Sequence, residues 1–148
     1  MSNYSYGPGQ QPQPNYYGAP PQSWGHQPSA IPPEDRSAAA LAHASTLIAM
    51  VVSAGWLSFV GPLVIWMLYK DKSPYVRRAA AGAFNFNIWV NIAMVIGWIM
   101  CITIVLLPFG IPLMIFAALI QIFAHIRACL RALNGEDYTY RKQFRILT

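Results

Sequence analysis

The chain has 148 residues, of which 55% are hydrophobic and only 10% charged, with a net charge of +5. A soluble domain carries about a quarter charged residues, and here no Asp, Glu, Lys or Arg occurs from Ala38 to Tyr69 or from Ala79 to Ile126. A domain of this size lacks the interior to hide two such runs, so the composition argues against a soluble fold and for an all-α integral membrane protein.

Residues 1–36 are dominated by Pro, Gly, Gln and Tyr. Such a block cannot bury enough apolar surface to offset its ordering entropy, and it is expected to be a disordered cytoplasmic tail with polyproline-II character. It lacks the basic and apolar regions of a cleavable signal, so it is expected to stay on the chain. Residues 37–148 are expected to form one membrane domain with a short basic C-terminal tail.

Glu34–Asp35 followed by alanines reads as a helix start. As one helix, residues 38–69 would be about 48 Å long, against a hydrocarbon core of about 30 Å. Ser53, Gly55, Ser58 and Gly61–Pro62 interrupt the run near its middle. The reading is a helix over 37–53 and a second over 57–70, with a single tilted span as the rival. Lys70, Asp71 and Lys72 then form a charged elbow, and Ser73–Pro74 supply an N-cap and a first helical turn. The second run would be about 72 Å as one helix and must fold back. Its LPFGIP stretch, Leu107 to Pro112, is the expected hairpin turn, giving helices over 74–106 and 111–133. The expected architecture is a four-helix transmembrane bundle.

Lys70, Lys72, Arg77 and Arg78 cluster at the elbow, and Arg127, Arg131, Arg141, Lys142 and Arg145 at the C-terminal end. The positive-inside rule places both clusters in the cytoplasm, and four helices put the N-terminus there too. The expectation is a multi-pass cell-membrane protein whose basic loops face anionic headgroups, with no call for nucleic acid to explain the charge.

The uncharged runs carry His43, Ser45, Thr46, Asn85, Asn87, Asn91, Gln121 and His125. Asn87 and Asn91 share a helix face, as do Gln121 and His125, so the physical reading is a polar seam joining helices. A water-accessible path is the functional alternative. His43 and His125 have no third ligand at useful spacing for a metal. Cys101 and Cys129 read as packing residues. No acidic residue, phosphate loop or nucleophile motif occurs in these runs, so no cofactor and no enzymatic role is expected.

The strings LAHAS (Leu41–Ser45), FVGPLVIWMLYKDKSPYV (Phe59–Val76) and AFNFN (Ala83–Asn87), with the closing Gly135-x-x-Tyr138-x-Tyr140, resemble a family of small bacterial membrane proteins of unknown function. That family is similar to the Tic-twenty component of the chloroplast inner-envelope import machinery. The resemblance covers about residues 38–147. It implies four membrane helices, no established enzymatic activity, and motif positions at His43, Gly61, Pro62, Lys70, Asp71, Ser73, Pro74, Asn85 and Asn87. Ala79, Gly82, Asn87 and Arg141 stand where the family commonly has His, Glu, Gln and Pro, so a role resting on that His and Glu does not carry over. The functional expectation is a structural, interaction or translocation-associated module that assembles with itself or with another membrane protein. The alternative is an oligomeric channel or small transporter.

Overall fold

The computed structural model describes residues 30–140 and 145–148, with four helices in sequence: α1 (Pro33–Val52), α2 (Val60–Tyr69), α3 (Pro74–Ile102) and α4 (Leu107–Leu133). The expected tail falls largely on residues 1–29, outside the described residues, as do Arg141 and Lys142 of the C-terminal basic cluster. Residues 33–36, assigned to that tail, are instead the first turn of α1. Pro33 presets φ where no helical N–H partner exists, and Glu34 and Asp35 sit at the positive end of the helix dipole.

Residues 38–69 form two helices rather than one tilted span. The chain turns over residues 53–59, where Ala54 and Gly55 take φ values of 51° and 94°. The Ser53 hydroxyl accepts from the Leu57 N–H at 2.9 Å. This turn uses seven residues, so α2 starts at Val60 rather than 57. Pro62 falls in its first turn, where no donor is needed.

The second turn corrects the sequence reading. The chain reverses at Thr103–Leu106, with Ile104 at φ 56°, and LPFGIP is not the hairpin but the opening of α4. Pro108 lies in the first turn, where its missing N–H costs nothing, and only Pro112 removes a helical donor. Helix α3 therefore ends at Ile102 rather than 106.

Span count is the other correction. Helices α3 and α4, with 29 and 27 residues, are long and apolar enough to cross a membrane. Helix α2 has ten residues, or about 15 Å, half a hydrocarbon core. Helix α1 opens with a charged turn and is uncharged only from Ser37 to Val52. The bundle thus has four helices and two candidate spans, where four spans were expected.

Helices α1 and α3 each touch the other three, whereas α2 and α4 do not touch each other. The cross-section is a diamond with α1 and α3 on its short diagonal. At the charged end its core is mostly alanine (Ala38, Ala39, Ala40, Ala42, Ala80 and Ala132), joined by Ile65, Tyr75 and Val76. Side chains this small let helix backbones approach closely. The same end is tied by Ser73, which caps α3 by accepting from Val76 N–H at 3.3 Å and donates to the Asp35 carboxylate at 2.7 Å. The outside is apolar: Val52 and Val105, at the two hairpin tips, are 83% and 82% exposed.

Gly97 and Gly110 set the approach of α3 and α4. A Cβ on Gly110 would lie 2.8 Å from the Gly97 carbonyl oxygen and 2.8 Å from Cys101 Sγ. Replacing Gly110 by Val is expected to cost about 1–3 kcal/mol of stability in detergent through overpacking. Ile111→Val, at an exposed neighbouring position, serves as the control, and unfolding midpoints of the two variants check the claim.

Candidate functional site

Beneath the alanine layer, polar side chains from five segments meet. His43 and Thr46 come from α1, Ser58 from the 53–59 turn, Asn87 and Asn91 from α3, Gln121 and His125 from α4, and Tyr140 from the C-terminal segment. All but Asn91 are buried, and Thr46, Ser58, Asn87 and His125 have no exposed surface. Such groups are costly in an apolar interior unless each finds a partner.

The bonding fixes the orientation of each group. Ser58 presents a backbone carbonyl, which can only accept, 3.2 Å from Asn87 Nδ2. The Asn87 amide nitrogen therefore faces Ser58, and it also donates to Thr46 Oγ1 at 3.0 Å. Its Oδ1 then faces α4, where it accepts from Gln121 Nε2 at 3.1 Å. His125 Nε2 lies 3.0 Å from the same oxygen and must donate to it. A neutral imidazole with Nε2–H has a bare Nδ1, and this nitrogen accepts the Tyr140 hydroxyl proton at 2.9 Å. Tyr140 has no second proton, so His43 Nδ1, 3.0 Å away, donates to the phenol oxygen. With both imidazoles neutral, the order His43→Tyr140→His125→Asn87 satisfies every contact.

Packing holds the rings in place. Tyr140 stacks on Phe86 with centroids 4.5 Å apart, and Phe86 meets His125 edge-on at 5.6 Å. Burial, reinforced by Tyr138 and Cys129, holds the Tyr140 phenol well above its ordinary pKa, which keeps the proton it donates. Asn91 extends the network by donating to Ser58 Oγ at 3.0 Å and to the Asn87 carbonyl at 2.9 Å.

Six sequence candidates thus converge: His43, Thr46, Asn87, Asn91, Gln121 and His125. Asn85 does not join them. Its Oδ1 accepts the N–H groups of Ile146 and Leu147 at 3.0 and 2.9 Å, and its Nδ2 donates to the Leu147 carbonyl at 2.8 Å. It clamps the C-terminal segment to α3. Gly61 lies against α1, where a Cβ would come within 3.0 Å of the Ser45 carbonyl carbon. Pro62 is buried beside it, Lys70 and Asp71 are exposed at the elbow, and Ser73–Pro74 start α3.

Sequence reasoning gave Tyr140 and Ser58 no part in the seam. In the sequence Ser58 reads as a turn breaker, and Tyr140 carries only the signal of the closing Gly135-x-x-Tyr138-x-Tyr140 string. The same applies to Tyr75, whose hydroxyl lies 3.1 Å from both the Ala132 and Glu136 carbonyls at the end of α4.

Chemically, the histidine–tyrosine relay ends on a carboxamide, which accepts a hydrogen bond but passes no proton onward. Among the described residues no three His, Cys, Asp or Glu side chains converge as a metal site would require.

Residues 34–147 match the magnetosome magnetite crystal formation protein family. The chain belongs to that family. The match takes in all four helices and the C-terminal segment that delivers Tyr140, so the whole network lies within the family's extent. No curated protein and no solved structure matches the chain. The Tic-twenty-like part of the sequence reading finds no support in these comparisons.

Asn87→Leu leaves His125 Nε2, Gln121 Nε2 and the Ser58 carbonyl without their bonds to Asn87. Four lost bonds, at about 0.6 kcal/mol each in a membrane and more where a group stays unsatisfied, put its cost at about 2–4 kcal/mol. Tyr140→Phe keeps the ring stack, loses two bonds and should cost about half as much. Denaturant unfolding in micelles checks the ranking, and an Asn87→Leu variant as stable as wild type would contradict the assignment.

Proposed function

We propose that the chain is a multi-pass structural and interaction module of the cell membrane, without enzymatic activity. One observation carries this reading: the polar side chains of its apolar helices are spent on bonds to one another, while its outer faces are apolar. Helices α3 and α4 cross as a hairpin, and α1 and α2 enter beside them from the same side. Both hairpins open toward the basic elbow, so both ends of the described chain lie on the cytoplasmic side. Exposed Val64, Phe116 and Phe123 then face lipid or a neighbouring protein.

The family's description concerns magnetite crystal formation. A part for this chain in that process would act through the membrane rather than by holding iron. The turns at 53–59 and 103–106 carry no Asp, Glu, His or Cys, so the tip end of the bundle has no hard ligand for a metal oxide. The alternative, a channel or small transporter, needs a lumen between copies, because the polar groups inside one copy are bonded to each other.

A photo-crosslinking residue at Phe116 or Phe123 in native membranes is expected to capture a second copy or another membrane protein. Recovery of monomer alone from both positions would sink the interaction reading. In a Cys101- and Cys129-free background, cysteine at Ser37 should label only from the cytoplasmic side and cysteine at Thr103 only from the opposite side. Labelling of both from one side would overturn the topology.

A further inference from the structure

At the charged end, between α3 and the C-terminal segment, lies a cleft of about 450 Å³. Arg77, Arg78 and Arg145 line it, with Asn85 and Thr139, and Gly82 lies among the small residues of α3 on its floor. We propose that this cleft is a binding site for a phosphate group, carried either by an anionic lipid headgroup or by a soluble phosphate ester. The proposal rests on the membrane reading only for the first of these sources.

Three features distinguish the cleft from an ordinary solvated basic face. The first is excess positive charge. The cleft's one acidic side chain, Asp137, is engaged by Arg78 at 3.1 Å, while Arg77 and Arg145 make no ion pair among the described residues. Guanidinium forks suit phosphate oxygens because each can offer two parallel N–H donors. The second is preorganisation. Arg145 sits one residue before the backbone that Asn85, itself 3% exposed, grips through three hydrogen bonds. The arginine that closes the cleft is thus carried by a segment fixed in place before any ligand arrives. The third is room. On α3, Ala79, Ala81 and Gly82 lie between the two arginines and Asn85, so the cleft wall between those side chains is made of small residues.

Position strengthens the assignment. Ala79 begins the uncharged stretch of α3, immediately after Arg78. The cleft therefore stands at the boundary between charge and apolar helix, the depth at which a headgroup phosphate lies when α3 crosses a bilayer.

The test uses the full chain in phosphatidylcholine nanodiscs doped with phosphatidylglycerol, with retained lipid read by native mass spectrometry. Inorganic phosphate is titrated separately in detergent. Wild type is expected to retain phosphatidylglycerol at least tenfold over phosphatidylcholine. The Arg77→Gln/Arg145→Gln variant should lose about tenfold in retention. Gly82→Leu, which keeps every charge but fills the floor, should lose as much at an unchanged unfolding midpoint. Lys70→Gln/Lys72→Gln removes the same charge from the neighbouring elbow and should stay within twofold. Displacement of the lipid by millimolar phosphate assigns the cleft to soluble phosphate esters, and retention against it assigns the cleft to the headgroup; both support a phosphate site. Equal loss in the cleft and elbow variants, or no uptake of either probe by wild type, overturns the proposal. A chain that leaves the membrane fraction contradicts the membrane reading, and the detergent titration then judges the cleft independently.

Discussion

Asn87 has one carboxamide with two donors and two acceptor sites, and the fold uses all four on other segments. Two donors go to Thr46 of α1 and Ser58 of the first turn, and two acceptor sites go to Gln121 and His125 of α4. A fully buried amide that is completely satisfied specifies geometry sharply, because any slip of one helix strands a partner in an apolar interior. The register of α1, α3 and α4 follows from this one side chain. Tyr140 extends the same constraint to the C-terminal segment by bonding both histidines.

The rest of the molecule is arranged around that centre. Near the charged end alanine brings the helix axes together, and near the tips Gly97 and Gly110 do the same for α3 and α4. With polar groups turned inward and bonded, the outer faces are free to be apolar. A lipid environment requires this inversion, since lipid offers no partner to an unpaired polar group. The charge is then carried at one end of the bundle, by the elbow, the adjoining helix ends and the C-terminal segment, and Asn85 and Tyr75 hold that segment against the bundle.

How much of this could be read from the sequence depends on the kind of signal. Helical period showed that Asn87 and Asn91, and Gln121 and His125, share faces, and the structure places all four in one network. Ser73–Pro74 is a helix start with a local chemical signature, and it caps α3 as expected. LPFGIP misled because proline marks a break but is equally at home in the first turn of a helix. The ten-residue length of α2 was hidden because a glycine-containing turn can use seven residues as readily as three. Tyr140 lies 97 residues from His43 in an irregular segment. No periodicity connects the two, and only the folded chain shows that they meet.

A membrane module held by one saturated amide and a closed histidine–tyrosine relay accounts for both the inward polar groups and the apolar exterior of a chain in the magnetosome magnetite crystal formation family. The claim that Asn87 orients the network determines which imidazole nitrogens carry protons. Nitrogen-15 spectroscopy of the histidine side chains in the reconstituted protein reads those tautomers directly. The account predicts neutral His125 protonated on Nε2 and His43 carrying a proton on Nδ1. A His125 ring protonated on Nδ1 would break its bond to Asn87 or reverse the amide, and would contradict the account.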